Sequence, residues 1–179
     1  MCLTVFKHNP YYQSVCIFTW FKYMKNTKDR GPGVFIPPPL IFIAAVLIGY
    51  LMDAIYPLAK LNSYFWLLLG STGIILCIGV LGYALMSFIK AKTHIEPWQP
   101  ASQLITTGLY RYSRNPIYLT FFIFTLCLGL VLSKLWIILM GIPALWVMNT
   151  YVIAKEEAYL EATFLDKYIK YKREVRRWI

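Results

Sequence analysis

Four long runs of apolar residues divide this 179-residue chain. They cover residues 40–58, 64–89, 116–132 and 135–154. A helix needs about 20 apolar residues to cross a hydrocarbon layer of about 30 Å, so each run predicts one transmembrane helix. Only two residues separate the last two runs, which predicts a tight antiparallel hairpin. The pattern therefore indicates an all-α fold, a polytopic membrane helical bundle with about four transmembrane helices.

The second run holds two glycine pairs, Gly70 with Gly73 and Gly79 with Gly82. The pairs project from different sides of a helix, so they are expected to let two neighbouring helices approach closely. The first run carries one acidic residue, Asp53, near its outer end. Because a charge in lipid is costly, Asp53 is expected to have either a functional or an interfacial role.

Two polar segments are longer than simple connections need to be. The loop at 90–115 lies between the second and third runs, and the tail at 155–179 follows the fourth. Function is expected in these segments rather than in the spans. In the tail, apolar residues recur every three or four positions, which predicts an amphipathic helix lying against the bundle or the membrane. These residues are Leu160, Phe164, Tyr168, Tyr171 and Val175.

Residues 1–30 are expected to form an N-terminal extension to a membrane domain at 31–179. The stretch at 11–24 is aromatic but short, and it carries Gln13 and Lys22. These features favour an interfacial helix over a fifth span. A basic run and a Gly/Pro-rich linker follow, which cannot be helical and deliver the chain to the first span.

Composition and charge support a membrane protein. Hydrophobic residues make up 59% of the chain and charged residues 15%, whereas a soluble domain has about 25% charged residues. Of the 18 Lys and Arg residues, 16 fall before the first run, between the second and third, or after the fourth. This bias predicts that both termini and the long loop face the cytoplasm. The net charge of +10 is therefore attributed to topology, and no nucleic-acid partner is expected.

The loop ends in a helix-start signal. Asn115 before Pro116 predicts an N-cap followed by proline at the first helical position. The unpaired N–H groups of a helix start attract an anion, and Arg111 and Arg114 would reinforce that field. The same arginines can instead anchor the helix at lipid headgroups, and the charge pattern leaves both interpretations open.

Paired carboxylates, Glu156 and Glu157, follow the fourth run. If the hairpin returns the chain to the same side, they lie close to the Asn115 loop. They are also explained as first-turn acids favoured by the helix dipole. Four cysteines lack C-x-x-C spacing, and neither His8 nor His94 has a partner at ligand spacing, so no metal site is expected.

Three ordered motifs resemble one known family. They are G-L-Y-R-Y-S-R-N-P-I-Y at 108–118, the Glu156-Glu157 pair, and F-L-D-K-Y-I-K-Y-K-R-E-V-R-R-W-I at 164–179. Together they resemble the isoprenylcysteine carboxyl methyltransferase and phospholipid methyltransferase superfamily of integral membrane enzymes. The segment G-P-G-V-F-I-P-P-P-L at 31–40 resembles the start of many bacterial members.

The resemblance implies a methyltransferase that uses S-adenosyl-L-methionine as methyl donor and acts on a lipophilic acceptor at the membrane, by isoprenylcysteine-carboxylate-like O-methylation or by lipid methylation. It implies a cytoplasmic donor-binding loop. An amine acceptor would need a base, for which Glu157 is the nearest candidate. Arg177 matches an arginine common near the end of the family pattern and would hold an acidic acceptor. The implied donor-binding residues are Ser102, Gln103, Leu104, Ile105, Tyr110, Asn115, Pro116, Ile117, Tyr118 and Glu156.

The chain departs from the family pattern at three positions. Asn115 stands where the prenylcysteine enzymes typically have histidine, Leu165 where they have glycine, and Val152 where arginine is frequent.

Two other classes of protein stay open. Sterol reductases, which bind a nicotinamide cofactor, share a similar C-terminal architecture, and a non-enzymatic membrane scaffold would use the same charged residues as surface anchors.

Overall fold

The computed structural model describes residues 31–61, 63–93 and 99–179, and the predicted interfacial helix at 11–24 lies outside them. The regular structure in the described residues is entirely helical, which confirms the predicted all-α fold. In chain order the helices are α1 (Pro38–Ile55), α2 (Tyr64–Ala91), a 3-10 turn (Gly108–Arg111), α3 (Pro116–Val131), α4 (Leu135–Phe164) and α5 (Asp166–Glu174).

Three of these helices, α1, α2 and α4, are long and apolar enough to cross a membrane. The fourth apolar helix, α3, has 16 residues, fewer than the about 20 that a span needs. The prediction of four crossings is therefore supported directly for three helices. α1 ends three residues before the predicted limit because Pro57 disfavours helical geometry at the residue before it.

The predicted hairpin between α3 and α4 is confirmed. The Lys134 N–H donates to the Gly129 carbonyl at 2.9 Å, and Ser133 adopts a left-handed φ of 55° in the turn. The Lys134 ammonium forms a partly buried ion pair with the Asp53 carboxylate at the end of α1. A charge at this depth needs such a partner, so Asp53 serves to fasten the hairpin to α1.

Helix packing confirms one glycine pair and not the other. A Cβ on Gly70 would lie 2.8 Å from the Cys127 carbonyl of α3, and a Cβ on Gly73 would collide with the Cys127 sulfur. Here α2 and α3 are in close contact. A Cβ on Gly79 or Gly82 would meet nothing within 4 Å among the described residues, so the close approach predicted there is wrong for this part of the chain.

The end of α4 differs from the sequence prediction. The apolar run stops at residue 154, but the helix continues to Phe164. Its middle, Met148–Ile153, is a π-helix, a rare conformation found mainly as short bulges that often mark functional sites. Val152 in this segment is fully buried in the core cluster with Val34 and Phe42.

The tail is two helices rather than one amphipathic helix. Leu165, with a φ of 47°, interrupts the helix and separates α4 from α5. A side chain is disfavoured at this φ, which explains why the family pattern has glycine here. The predicted apolar stripe is otherwise confirmed, because Tyr168, Tyr171 and Val175 form a buried cluster. Leu104 of the loop packs on this cluster, so the tail covers the loop.

Two glycine substitutions test the contact between α2 and α3. Gly70→Ala should destabilise the protein by about 1–3 kcal/mol because its methyl group collides with the α3 backbone. Gly79→Ala should be neutral or stabilising by up to about 1 kcal/mol, because alanine favours helix and the site is open. Thermal unfolding in detergent measures both. A Gly70→Ala protein that melts as high as Gly79→Ala would show that the two helices are not in tight contact.

Candidate functional site

A cavity of about 400 Å³ lies at the end of the bundle where the loop, α3, α4 and α5 meet. Its size is within the range of small-molecule sites. The prolines of the linker before α1 form one wall. Eight of the ten predicted donor-binding residues line the cavity. They are Gln103, Leu104, Ile105, Tyr110, Asn115, Ile117, Tyr118 and Glu156.

The remaining two predicted residues support the cavity from outside its lining. Ser102 fastens the loop to the end of α2, since its hydroxyl donates to the Lys92 carbonyl at 3.1 Å and its N–H donates to the Thr93 hydroxyl at 3.1 Å. Pro116 is the first residue of α3, as predicted. Its fixed φ is suited to a helix start, and it directs Ile117 and Tyr118 into the cavity wall.

Glu156 presents a carboxylate to this cavity. It accepts a hydrogen bond from the Tyr118 hydroxyl, and it is only partly buried. Within the described part of the chain, no lysine or arginine forms an ion pair with Glu156. The rest of the lining is mostly apolar, although Arg114, Asn115 and Glu157 also belong to it. An acidic group in such a cavity is suited to a cationic ligand group.

Glu157, the next residue, is the centre of an ion-pair cluster. Its side chain is 9% exposed. It accepts two hydrogen bonds from Arg177, from Nε at 3.0 Å and from Nη2 at 2.6 Å. Arg114 Nη1 lies 2.9 Å from the same carboxylate, and Lys172 Nζ lies 4.0 Å away. The hydrogen bonds to Glu157 raise the pKa of Arg177 above its usual value. We call these four residues the Glu157 cluster.

The C-terminal segment lies against the loop through its backbone. The Arg177 carbonyl accepts a hydrogen bond from the Asn115 amide at 3.0 Å, and the Arg176 carbonyl accepts one from the Arg114 N–H at 3.0 Å. Asn115 stands at the predicted N-cap position, but its side chain makes no capping hydrogen bond. The predicted capping role is therefore wrong, because the amide binds the tail instead.

Tyrosines close the cavity on the tail side. Tyr171 donates to the Tyr110 carbonyl at 2.6 Å, and the Tyr110 ring packs edge-on against Phe88 of α2. Burial raises the pKa of Tyr168 to about 12, with a further increase from the Glu157 carboxylate. Burial also raises the pKa of Tyr110 and Tyr171 above the usual value. All three phenols therefore stay neutral at physiological pH.

Several lining residues were not predicted as ligands. Tyr168 and Tyr171 line the cavity, as do Tyr159 and the linker prolines. The amphipathic stripe identified the two tail tyrosines as buried, but nothing in the spacing indicated that they face a cavity. Arg177, predicted to hold an acidic acceptor, does not line the cavity and is bound to Glu157. Its predicted role and that of Glu157 as a base stay predictions.

The fold and the cavity define a helical membrane protein with a small-molecule pocket at the polar end of its bundle. The phospholipid methyltransferase family model matches residues 65–167. This match covers more than half of the chain, and the chain therefore belongs to that family.

Three curated relatives share shorter stretches. The protein-S-isoprenylcysteine O-methyltransferase of Schizosaccharomyces pombe is 38% identical over 72 residues, 40% of this chain and 30% of that protein. The enzyme of the same name from Saccharomyces cerevisiae is 32% identical over 94 residues, 52% of this chain and 37% of that protein.

A Haemophilus influenzae protein of uncharacterised function is 46% identical over 55 residues, 31% of this chain and 81% of that protein. The chain thus spans about a third of the length of the two named enzymes. No solved structure matches the chain.

Replacing the central carboxylate of the Glu157 cluster tests how much the cluster contributes to the stability of the protein. Glu157→Gln leaves the nearly buried Arg114 and the one-third exposed Arg177 without a counter-ion. The loss of stability should be about 2–3 kcal/mol, less than for a fully buried pair. Glu161→Gln is the matched control, since Glu161 pairs only with Lys172 at the surface and should cost about 0–1 kcal/mol. Chemical denaturation in detergent, followed by circular dichroism, compares them. If the two variants lost the same amount of stability, the Glu157 cluster would not be what holds the tail.

Proposed function

We propose that this chain is an integral membrane methyltransferase that binds S-adenosylmethionine in the cavity at the end of the bundle and methylates a lipophilic acceptor. The observation that carries the proposal is that eight donor-binding residues implied by the resemblance line one cavity. They come from the loop, α3 and α4, which are separate in sequence and meet at this cavity. The family assignment supports the same activity.

The cavity lining offers a suitable binding group for each part of the donor. Glu156 would bind the methionine ammonium, because among the described residues no lysine or arginine pairs with its carboxylate, which is suited to that charge. The N–H groups at the start of α3 would bind the methionine carboxylate. Tyr110 and Tyr118 would flank the adenine or the sulfonium, where an aromatic face attracts positive charge.

Catalysis would depend mainly on positioning. When bound, the donor supplies an electrophilic methyl group on its sulfonium. The chain would hold the acceptor in line with that methyl group and exclude water, and both effects lower the barrier without a chemical step by the protein. The tail tyrosines and the linker prolines, which cover the cavity, would provide the exclusion of water.

The state of Glu157 favours a carboxylate acceptor over an amine. A carboxylate attacks without losing a proton, whereas a protonated amine needs a base, and Glu157 is the implied base. In the Glu157 cluster both carboxylate oxygens accept hydrogen bonds from Arg177, and Arg114 lies 2.9 Å from one of them, so this carboxylate is occupied and poorly placed to act on an amine. The names of the two yeast relatives, both O-methyltransferases, agree with this choice. Arg177 would then bind an acidic acceptor only by sharing its guanidinium with Glu157.

The two other classes are not favoured by the comparisons, which name methyltransferases and no reductase. A titration separates them directly. S-adenosylhomocysteine should raise the unfolding temperature of the purified protein, and NADPH should not. Stabilisation by NADPH alone would favour a reductase, and stabilisation by neither would favour a scaffold.

Glu156→Gln tests donor binding. The amide keeps the volume and can still accept from Tyr118, but it removes the charge that would bind the ammonium. A hydrogen bond between charged groups is worth about 1.5–3 kcal/mol, so affinity for S-adenosylhomocysteine should fall about 10- to 150-fold. Glu161→Gln, at the surface of the same helix, should bind as the wild type does. Calorimetric titration of the two folded variants measures this, and unchanged affinity in Glu156→Gln would exclude the proposed contact.

We further propose that both termini and the donor cavity face the cytoplasm, because 16 of 18 basic residues lie on that side of the predicted topology. Cysteine labelling in a cysteine-free background tests it. Lys60→Cys, in the exposed connection between α1 and α2, should react with an impermeant reagent only from outside, and Lys170→Cys only from inside. The reverse pattern would overturn the orientation.

A further inference from the structure

The tail presents an exposed surface that takes no part in the donor cavity. Leu165 and Ile169 lie one turn apart, because the Ile169 N–H donates to the Leu165 carbonyl at 3.1 Å. These two residues are 55% and 41% exposed. Arg173 follows Ile169 by four residues, so both project from the same face of α5. Arg176 and Ile179 are exposed just after the helix, and we call these five residues the outer tail surface.

The charge of this surface is positive and unpaired. Within the described residues, neither Arg173 nor Arg176 forms an ion pair. The loop binds Arg176 through its backbone carbonyl, and the residue is otherwise exposed. Asp166 stands at the start of α5, about 10 Å from Arg173 along the helix axis. This separation is about a Debye length, so Asp166 does not neutralise the arginine.

The neighbouring exposed face of α5 has a different character. Lys167, Lys170 and Glu174 are spaced by three and four residues, so they share that face, where one acid is mixed with two bases. Mixed charge without an exposed apolar residue is typical of a helix face in contact with water. The outer tail surface instead combines exposed apolar groups with cations, which is the pattern of helices that lie in a membrane interface.

The tail lies at the end of the apolar part of the bundle. The Arg176 carbonyl accepts a hydrogen bond from the Arg114 N–H, two residues before α3 begins at Pro116. From Pro116 onward α3 carries no charged residue. The end of such a helix lies where hydrocarbon gives way to lipid headgroups. Trp178, in the same segment of the tail, is a residue type enriched at that level of a membrane.

We propose that the outer tail surface binds anionic phospholipid headgroups of the membrane that holds the bundle. Arg173 and Arg176 pair with the lipid phosphates, and the apolar residues of the surface enter the headgroup layer beside them. Each basic residue near an anionic membrane surface strengthens binding about fivefold, so two arginines give a preference of about 25-fold over a neutral lipid. The inference does not depend on methyl transfer, since it needs only a bundle inserted in a membrane.

Fluorescence quenching in nanodiscs measures this preference on the full chain. In a cysteine-free background, Ile169→Cys carries a bimane fluorophore, and the bilayer is phosphatidylcholine with a small fraction of spin-labelled lipid. The spin label is a doxyl group close to the headgroup of either phosphatidylglycerol or phosphatidylcholine, so the two quenchers differ only in headgroup. At low salt, phosphatidylglycerol should quench with an association constant about 25-fold higher than that of phosphatidylcholine.

Two double variants with the same loss of charge distinguish the two exposed faces of the tail. Arg173→Gln with Arg176→Gln should bring the preference close to 1, because both unpaired cations of the surface are removed. Lys167→Gln with Lys170→Gln removes two charges from the mixed face and should retain most of the preference. All four positions are exposed, so both proteins should keep the wild-type unfolding temperature. At 1 M salt the preference should approach 1 in every protein, since the Debye length is then about 3 Å.

Three results would overturn the proposal. Equal quenching by the two lipids at low salt would show contact with the membrane without recognition of anionic headgroups. Quenching by neither lipid would show that the surface faces water, another segment of the chain or a protein partner. A preference kept in the arginine variant and lost in the lysine variant would assign lipid binding to the mixed face. Loss of S-adenosylhomocysteine binding with the preference retained would overturn the proposed function and not this inference.

Discussion

The ion pairs around Glu157 are the interaction on which the site depends. Arg114 belongs to the loop, Glu157 to α4 and Arg177 to the C-terminal segment, and one nearly buried carboxylate holds all three. Arg177 also donates to Asn149 in the π-helical part of α4. Without this carboxylate the two guanidinium groups would lie close together without a counter-ion. The tail would then keep only its backbone and apolar contacts with the loop, and the cavity wall that it forms would be weakened.

Adjacent positions in one helix give the two glutamates different surroundings. Consecutive residues point about 100° apart around a helix, so Glu156 and Glu157 meet different partners although both line the cavity. Glu156 contacts Tyr118, whereas Glu157 is bound by the arginines. Sequence alone presents the pair as two equal acids. The difference in their partners follows from the register in which α4 meets the tail.

Hydrophobic patterning predicted the bundle well because burial in lipid depends on each residue's own polarity. It predicted the end of α4 poorly, because hydropathy marks where the lipid ends and not where the helix ends. The Asn115 amide and the break at Leu165 escaped prediction for a related reason. The Asn115 amide binds a segment more than 60 residues away in the chain. The break at Leu165 depends on a backbone conformation that leucine rarely adopts. The resemblance pointed to residues that the structure brings to one cavity, because family motifs reflect such distant contacts.

A methyltransferase with a lipid acceptor must bring together two molecules that prefer opposite solvents. In the described residues, two cavities of different polarity share Pro39, Leu81 and Phe121 in their linings. Pro39 lies at the start of α1, and Phe121 lies in the first half of α3. The apolar cavity lies among α1, α2 and α3, while the tail covers the more polar one. The Glu157 cluster therefore matters for exclusion of water as well as for stability, since the tail that it holds is the cover of the donor cavity.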